Sequence, residues 1–165
     1  VEENAFSSTL ELLNKEALSA TYPLKPILHS IIGELYWKYY QSNRWKFQNR
    51  TQTVDFDNND ITTWDLTKIT DESIKHYLLS IKNLDSLSRT PTETFSEIIL
   101  TNTAQKYRPL LYDFLAHRAT DYFINEEPDI TKPAYAFSIA DSNYMGSTEE
   151  FSALNIQSTE SMSLK

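Results

Sequence analysis

The sequence predicts an all-α fold of antiparallel helix pairs, arranged as a bundle or a tetratricopeptide-like stack, with a structured aromatic loop and an irregular C-terminal segment. Three observations predict it. Apolar residues recur at three- and four-residue spacings through several long segments, the period of a helix with one buried face. Only Gly 2 is present in 165 residues, which starves tight-turn β architectures of glycine at positive φ. Prolines stand at the edges of the periodic segments, where they stop or start helices.

Taken in order, Glu3 to Ala20 reads as a first helix, with Phe6, Leu10, Leu13, Ala17 and Ala20 on one face and Asn4 as N-cap. Tyr22-Pro23 and Lys25-Pro26 end it, because a residue before proline is pushed out of the α region; Pro26 then suits the first turn of the next helix. That helix carries Ile27, Leu28, Ile31, Ile32, Leu35, Tyr36, Tyr39 and Tyr40, a stripe wide enough for more than one neighbour. Gly33 in its middle costs about 1 kcal/mol relative to alanine, and close approach by another helix explains it.

From Asn43 to Asp60 the helical period is lost. The string NRWKFQNRTQTVDFDNND reads as a structured loop or short hairpin folded back over the helices. Trp45 and Phe47 are expected as buried anchors, with Arg44 and Arg50 pairing to Asp55, Asp57 or Asp65. Asp60 and Asp71 are expected as N-caps, the second opening a helix through Ile74, Tyr77, Leu78 and Ile81 to about Leu84. A shorter helix over Thr92 to Thr101 uses Phe95, Ile98 and Ile99, and Pro109 starts a last one with Leu111, Phe114, Leu115, Arg118, Tyr122 and Phe123. Residues 1–127 thus form a helical domain containing the loop 43–60, and 128–165 an irregular segment leading to a downstream element.

The net charge of -8, with 15 basic residues that form no dense cluster, gives no footprint for phosphate backbones, so nucleic acid is not expected as a partner. No apolar run approaches the roughly 20 residues that span a bilayer, and no membrane insertion by this segment is expected. Cys 0 removes thiol catalysis and thiolate metal sites. Val1 is not an initiator methionine, and the start reads as a processing boundary of a longer chain.

Candidate sites are few. Asp55, Asp57 and Asn59 have the alternate spacing of calcium-loop ligands, but Asp60 stands where that loop needs glycine and Leu66 where it needs a bidentate glutamate. A solvated, helix-capping turn is therefore expected. His29, His76 and His117 lie on three different helices without a paired metal motif. Asp113, His117 and Asp121 share a helical face at i, i+4 spacing, but no nucleophile completes a catalytic set. Tyr36, Trp37, Tyr39, Tyr40 and Trp45, with the amides Gln41, Asn43, Gln48 and Asn49, could stack on sugars, although helical spacing favours core packing. No catalytic, cofactor or metal site is expected; Arg44, Trp45, Arg50, Asp55 and Asp57 form the candidate interaction surface.

The strings KPILHSIIGELYWKYYQSNRWKFQNRTQT, DNNDITTWDLTKI and RPLLYDFLAHRATDYFINEEP resemble the N-terminal helical region of very large bacterial α2-macroglobulin-like proteins. The resemblance covers much of Lys25 to Pro128. It implies an exported parent, periplasmic or anchored at the outer membrane through parts outside this chain, with a role in protease inhibition or envelope defence. The implied partners are neighbouring domains of the same parent, or another envelope protein or protease. The family's thioester needs a cysteine, and with Cys 0 no residue here can carry it. The runner-up expectation is a glycan-binding fragment of a helical lipoprotein from a nutrient-uptake system.

Overall fold

The computed structural model describes residues 2–47, 60–99, 107–125 and 146–147. The chain divides into two compact units, Val1–Glu127 and Pro128–Lys165, and every helix described belongs to the first. These helices are α1 (Glu2–Ser19), α2 (Leu24–Ser42), the single turn α3 (Arg44–Phe47), α4 (Leu66–Ile81), the single turn α5 (Leu84–Leu87) and α6 (Leu111–Phe123). Short 3-10 turns cover Ile61–Thr63 and Thr92–Phe95. Among the described residues there is no strand, only an isolated antiparallel bridge between Pro91 and Leu110. The fold is all-α.

Helix α2 is the centre of the packing. Its wide stripe meets α1, α4 and α6, as breadth beyond a single contact line requires. On the α1 side, Phe6 stacks on Tyr39 with ring centroids 5.0 Å apart. On the α6 side, Tyr122 and Trp37 meet as a T-shaped pair with centroids 5.3 Å apart. The α4 side is the most extensive interface, and its contacts run His29 to His76 and Gly33 to Ser73 and Tyr77, so the two helices are antiparallel.

Gly33 sets how closely α2 and α4 approach. Ser30, Gly33, Ser73 and Ser80 are all buried, and a Cβ on Gly33 would stand 3.1 Å from Tyr77 Cδ2 and 3.2 Å from the Ser73 carbonyl oxygen. The Ser73 and Ser80 hydroxyls donate to the carbonyls of Ile69 and Tyr77 at 2.9 and 2.6 Å, which satisfies them inside their own helix. A second cluster joins Ile27 of α2 to Leu87, Leu111 and Leu115, each such buried side chain contributing about 1.5–3 kcal/mol. Backbone bonds from Thr92 to Pro109 and from Leu111 to Thr90, at 2.9 and 2.8 Å, tie the entry of α6 to this cluster.

Several expectations need correction. Asp71 does not cap α4; Asp65 does, accepting from the Lys68 amide at 2.8 Å, so Asp71 lies inside the helix. Asp60 does cap, but only the 3-10 turn at Ile61–Thr63. Asn4 falls within the first turn of α1 instead of preceding it. Over Thr92–Ile99 the chain makes a 3-10 turn and further turns, not an α-helix, leaving Ile98 exposed and Ile99 buried. Helix α4 stops at Ile81 because the Asn83 side chain caps a new turn by accepting from the Ser86 amide.

Candidate functional site

Of the five residues expected to form an interaction surface, Arg44 and Trp45 are described; Arg50, Asp55 and Asp57 lie outside the described residues. Arg44–Phe47 is a helical turn, not irregular loop, and that corrects the burial of Trp45. Residues two apart on a helix diverge by about 200°, so Trp45 and Phe47 cannot face the same way. Phe47 is the anchor: it is buried against Tyr39 and Tyr40 with ring centroids at 6.3 and 5.6 Å. Trp45 is 68% exposed, with the Lys46 ammonium 5.5 Å from its ring. Asp65, offered as a partner for the arginines, caps α4.

The other aromatics behave as core. Tyr36, Trp37, Tyr39 and Tyr40 are each at most 6% exposed, so the sugar-stacking group does not form as a platform. Trp45 alone of the five presents its ring to solvent. The calcium reading finds no support in its flanks: Asp60 spends its carboxylate on Thr62, accepting at 2.9 Å from the amide and 2.6 Å from the hydroxyl, and Leu66 opens α4. Asp55, Asp57 and Asn59 lie outside the described residues. His117 is exposed on α6, and Asp113 accepts from the Leu110 amide at 3.3 Å.

Two arrangements were not expected from the sequence. The first is a cavity of ≈ 420 Å³ between α1, α2 and the start of α4, lined by Glu11, Asn14, Tyr36, Trp64, Lys68 and Glu72 among others. Trp64 stacks on Tyr36 at 5.5 Å, and Asn14 donates to the Tyr36 hydroxyl at 3.4 Å. Burial opposes the charged form of Glu72, but hydrogen bonds from Lys68 and Lys75 outweigh it and hold the carboxyl below the usual range.

The second is a histidine pair bridging α2 and α4. His29 Nδ1 lies 3.0 Å from His76 Nδ1, and His76 Nε2 lies 3.9 Å from Glu72. Burial, the neighbouring His29 and Lys75 together push the His76 pKa down to about 4, and burial with Lys25 and Lys75 lowers that of His29. Both imidazoles are therefore neutral near pH 7, one donating through Nδ1–H to the other's lone pair. Among the described residues no group of three or more metal-ligating side chains gathers here or elsewhere.

Arg118 of α6 donates through Nε to Ser30 at 2.8 Å and through Nη2 to Glu34 at 2.5 Å. This locks α6 to α2 while Lys38 also pairs with Glu34 at 2.7 Å. The fold and its surface thus define an all-α unit in which Trp45 is exposed on a turn anchored by Phe47. No family model, curated protein or solved structure matches the chain.

Proposed function

We propose that the chain is a non-catalytic helical scaffold and interaction module of a larger exported protein, docking through the surface around Arg44 and Trp45. The observation that carries this is the exposure of Trp45, 68%, directly beside a buried Phe47 that fixes its backbone. Tryptophan and arginine are the side chains most enriched among residues that dominate binding energy at interfaces. A large apolar ring held on a rigid turn loses little conformational freedom when a partner covers it. The partner is a neighbouring domain of the same parent, or another envelope protein or protease. An exported α2-macroglobulin-like parent is supported by the sequence resemblance, which carries the roles of protease inhibition and envelope defence with it.

The test replaces Trp45 with the photo-crosslinking residue p-benzoylphenylalanine in the full-length parent protein, followed by irradiation and mass spectrometry. A cross-link to a discrete patch of another domain or protein is expected. Diffuse labelling, or none, refutes docking through this turn. The glycan reading rests on the same open ring, and a polysaccharide panel that raises the melting temperature through Trp45 would favour it instead.

A further inference from the structure

We infer that the cavity between the first turns of α2 and the end of α4 binds a small organic acid. Its carboxylate is held by Lys25, Lys82 and His29, and its apolar body lies on Pro26 and Leu79. The cavity has a volume of ≈ 480 Å³ and lies on the opposite side of the histidine pair from the Tyr36–Trp64 cavity. Tyr22 walls it as well, with its hydroxyl donating to the Ser86 carbonyl at 3.0 Å and held close to the Thr90 hydroxyl.

Charge selects the ligand's sign. In a chain of net charge -8, the described lining of this cavity contains two lysines and a histidine and no carboxylate. Lys25 and Lys82 take part in none of the ion pairs found among the described residues. The partial positive charge at the start of α2 and the partial negative charge at the end of α4 offset one another, which leaves the side-chain cations in control. The lining also selects the ligand's body. Lysine lacks the planar fork with which arginine grips phosphate in two places, and a floor of Pro26 and Leu79 suits an uncharged hydrocarbon part.

The histidine pair couples this site to protons. The groups bearing on it are Lys25 on α2 and Lys75 and Glu72 on α4, with the Tyr36 ring 5.7 Å from that of His76. Glu72, on the Nε2 side of His76, favours a hydrogen on that nitrogen, which leaves His76 Nδ1 as the acceptor. His29 then donates through Nδ1, and its Nε2 is the nitrogen left to meet a ligand. A carboxylate arriving there supplies the negative charge that the lysine-flanked imidazole lacks. His29 takes one proton from solvent and becomes an imidazolium, donating through Nδ1–H to His76 and through Nε2–H to the carboxylate. By linkage, proton binding and anion binding each strengthen the other.

Sodium benzoate is the probe, with benzyl alcohol as its neutral twin and inorganic phosphate as an anion without an apolar body. Nitrogen NMR of the histidine rings follows the His29 titration with and without each. Benzoate is expected to raise the His29 midpoint by roughly one unit, the low end of what one opposite charge within about 4–6 Å produces, while benzyl alcohol leaves it in place. Lys82→Gln should weaken benzoate binding several-fold without altering the free protein's spectrum elsewhere. A His29 midpoint that ignores benzoate, or moves equally with benzyl alcohol, overturns the site. An equal response to phosphate overturns the ligand class.

Discussion

Gly33→Ala sets two opposed effects against each other at one atom. Alanine in a helix interior is favoured over glycine by about 1 kcal/mol, and on propensity alone the variant would be more stable. The new methyl carbon, however, would stand 3.1 and 3.3 Å from Tyr77 Cδ2 and Cε2 and 3.2 Å from the Ser73 carbonyl oxygen. Comfortable carbon contacts lie at about 3.5–4.0 Å, so α4 must retreat by a few tenths of an ångström or Tyr77 must turn. Tyr77 is 4% exposed and stacked on Tyr122 at 4.9 Å, and Ser73 offers backbone that cannot swing aside. Overpacking of a well-filled core costs about 1–3 kcal/mol, and these rigid neighbours place Gly33 toward the upper half of that range. The net expectation is a loss of about 1–2 kcal/mol, a fall in melting temperature of roughly 3–8 °C for a domain of this size. Urea denaturation followed by far-ultraviolet circular dichroism measures it, with an unchanged m-value showing that the folded and unfolded states are otherwise the same. A Gly33→Ala chain as stable as the parent, or more so, refutes the close-approach argument.

Two further outcomes follow from the core and from the histidines. Phe47→Ala should cost about 3 kcal/mol while Trp45→Ala stays within about 0.5 kcal/mol, and acrylamide quenching should reach Trp45 but not Trp37 or Trp64, which are 6% and 5% exposed. The folded pKa of His76 is depressed to about 4 from 6.5, so the unfolded chain binds the proton first. Stability is therefore complete above about pH 6.5, declines as pH falls toward 4, and has lost roughly 3 kcal/mol from this group at the bottom of that window. For Glu34 and Glu72, burial is outweighed by hydrogen bonds from their lysine and arginine partners, so their contribution begins to fall below the ordinary value of 4.5 and is lost as pH drops through their lowered folded values. A melting temperature flat from pH 6.5 to 4 in the parent chain, or an equally steep one in His76→Gln, contradicts the pair's neutrality.

The parts of the fold legible in the sequence are those fixed by local period and local chemistry. Helices α2 and α6 are legible because their apolar stripes are long, and Gly33 because nothing local explains glycine there. The start of α4 is hidden in the sequence because Thr67, Ile69 and Thr70 are β-branched and weak in helix propensity, so the stronger DESIKHYLL run draws the expected cap to Asp71. On α4 itself hydropathy pointed to Leu78 and Ile81, yet both are only partly buried while Ser73, His76 and Ser80 are buried. Close helix approach selects volume, and a hydropathy stripe does not measure volume. The turn at Arg44–Phe47 is too short to show any period, which hid the opposite fates of Trp45 and Phe47. The histidine pair joins residues 47 apart; its existence depends on the register between α2 and α4, and no local pattern contains that register.

The seam between α2 and α4 also bears on how relatives of this chain would drift apart. Substitutions among its buried rings can compensate one another, a lost carbon on one side being replaced on the other. At Gly33 the opposite helix itself is the obstacle, because an added Cβ would stand 3.2 Å from the Ser73 carbonyl oxygen, so this position cannot grow. Divergence should therefore erase the tyrosines and tryptophans first and leave the smallness of position 33 as the lasting record. A search that scores side-chain volume at this one site on α2 would follow the fold further back than one that scores its aromatic strings.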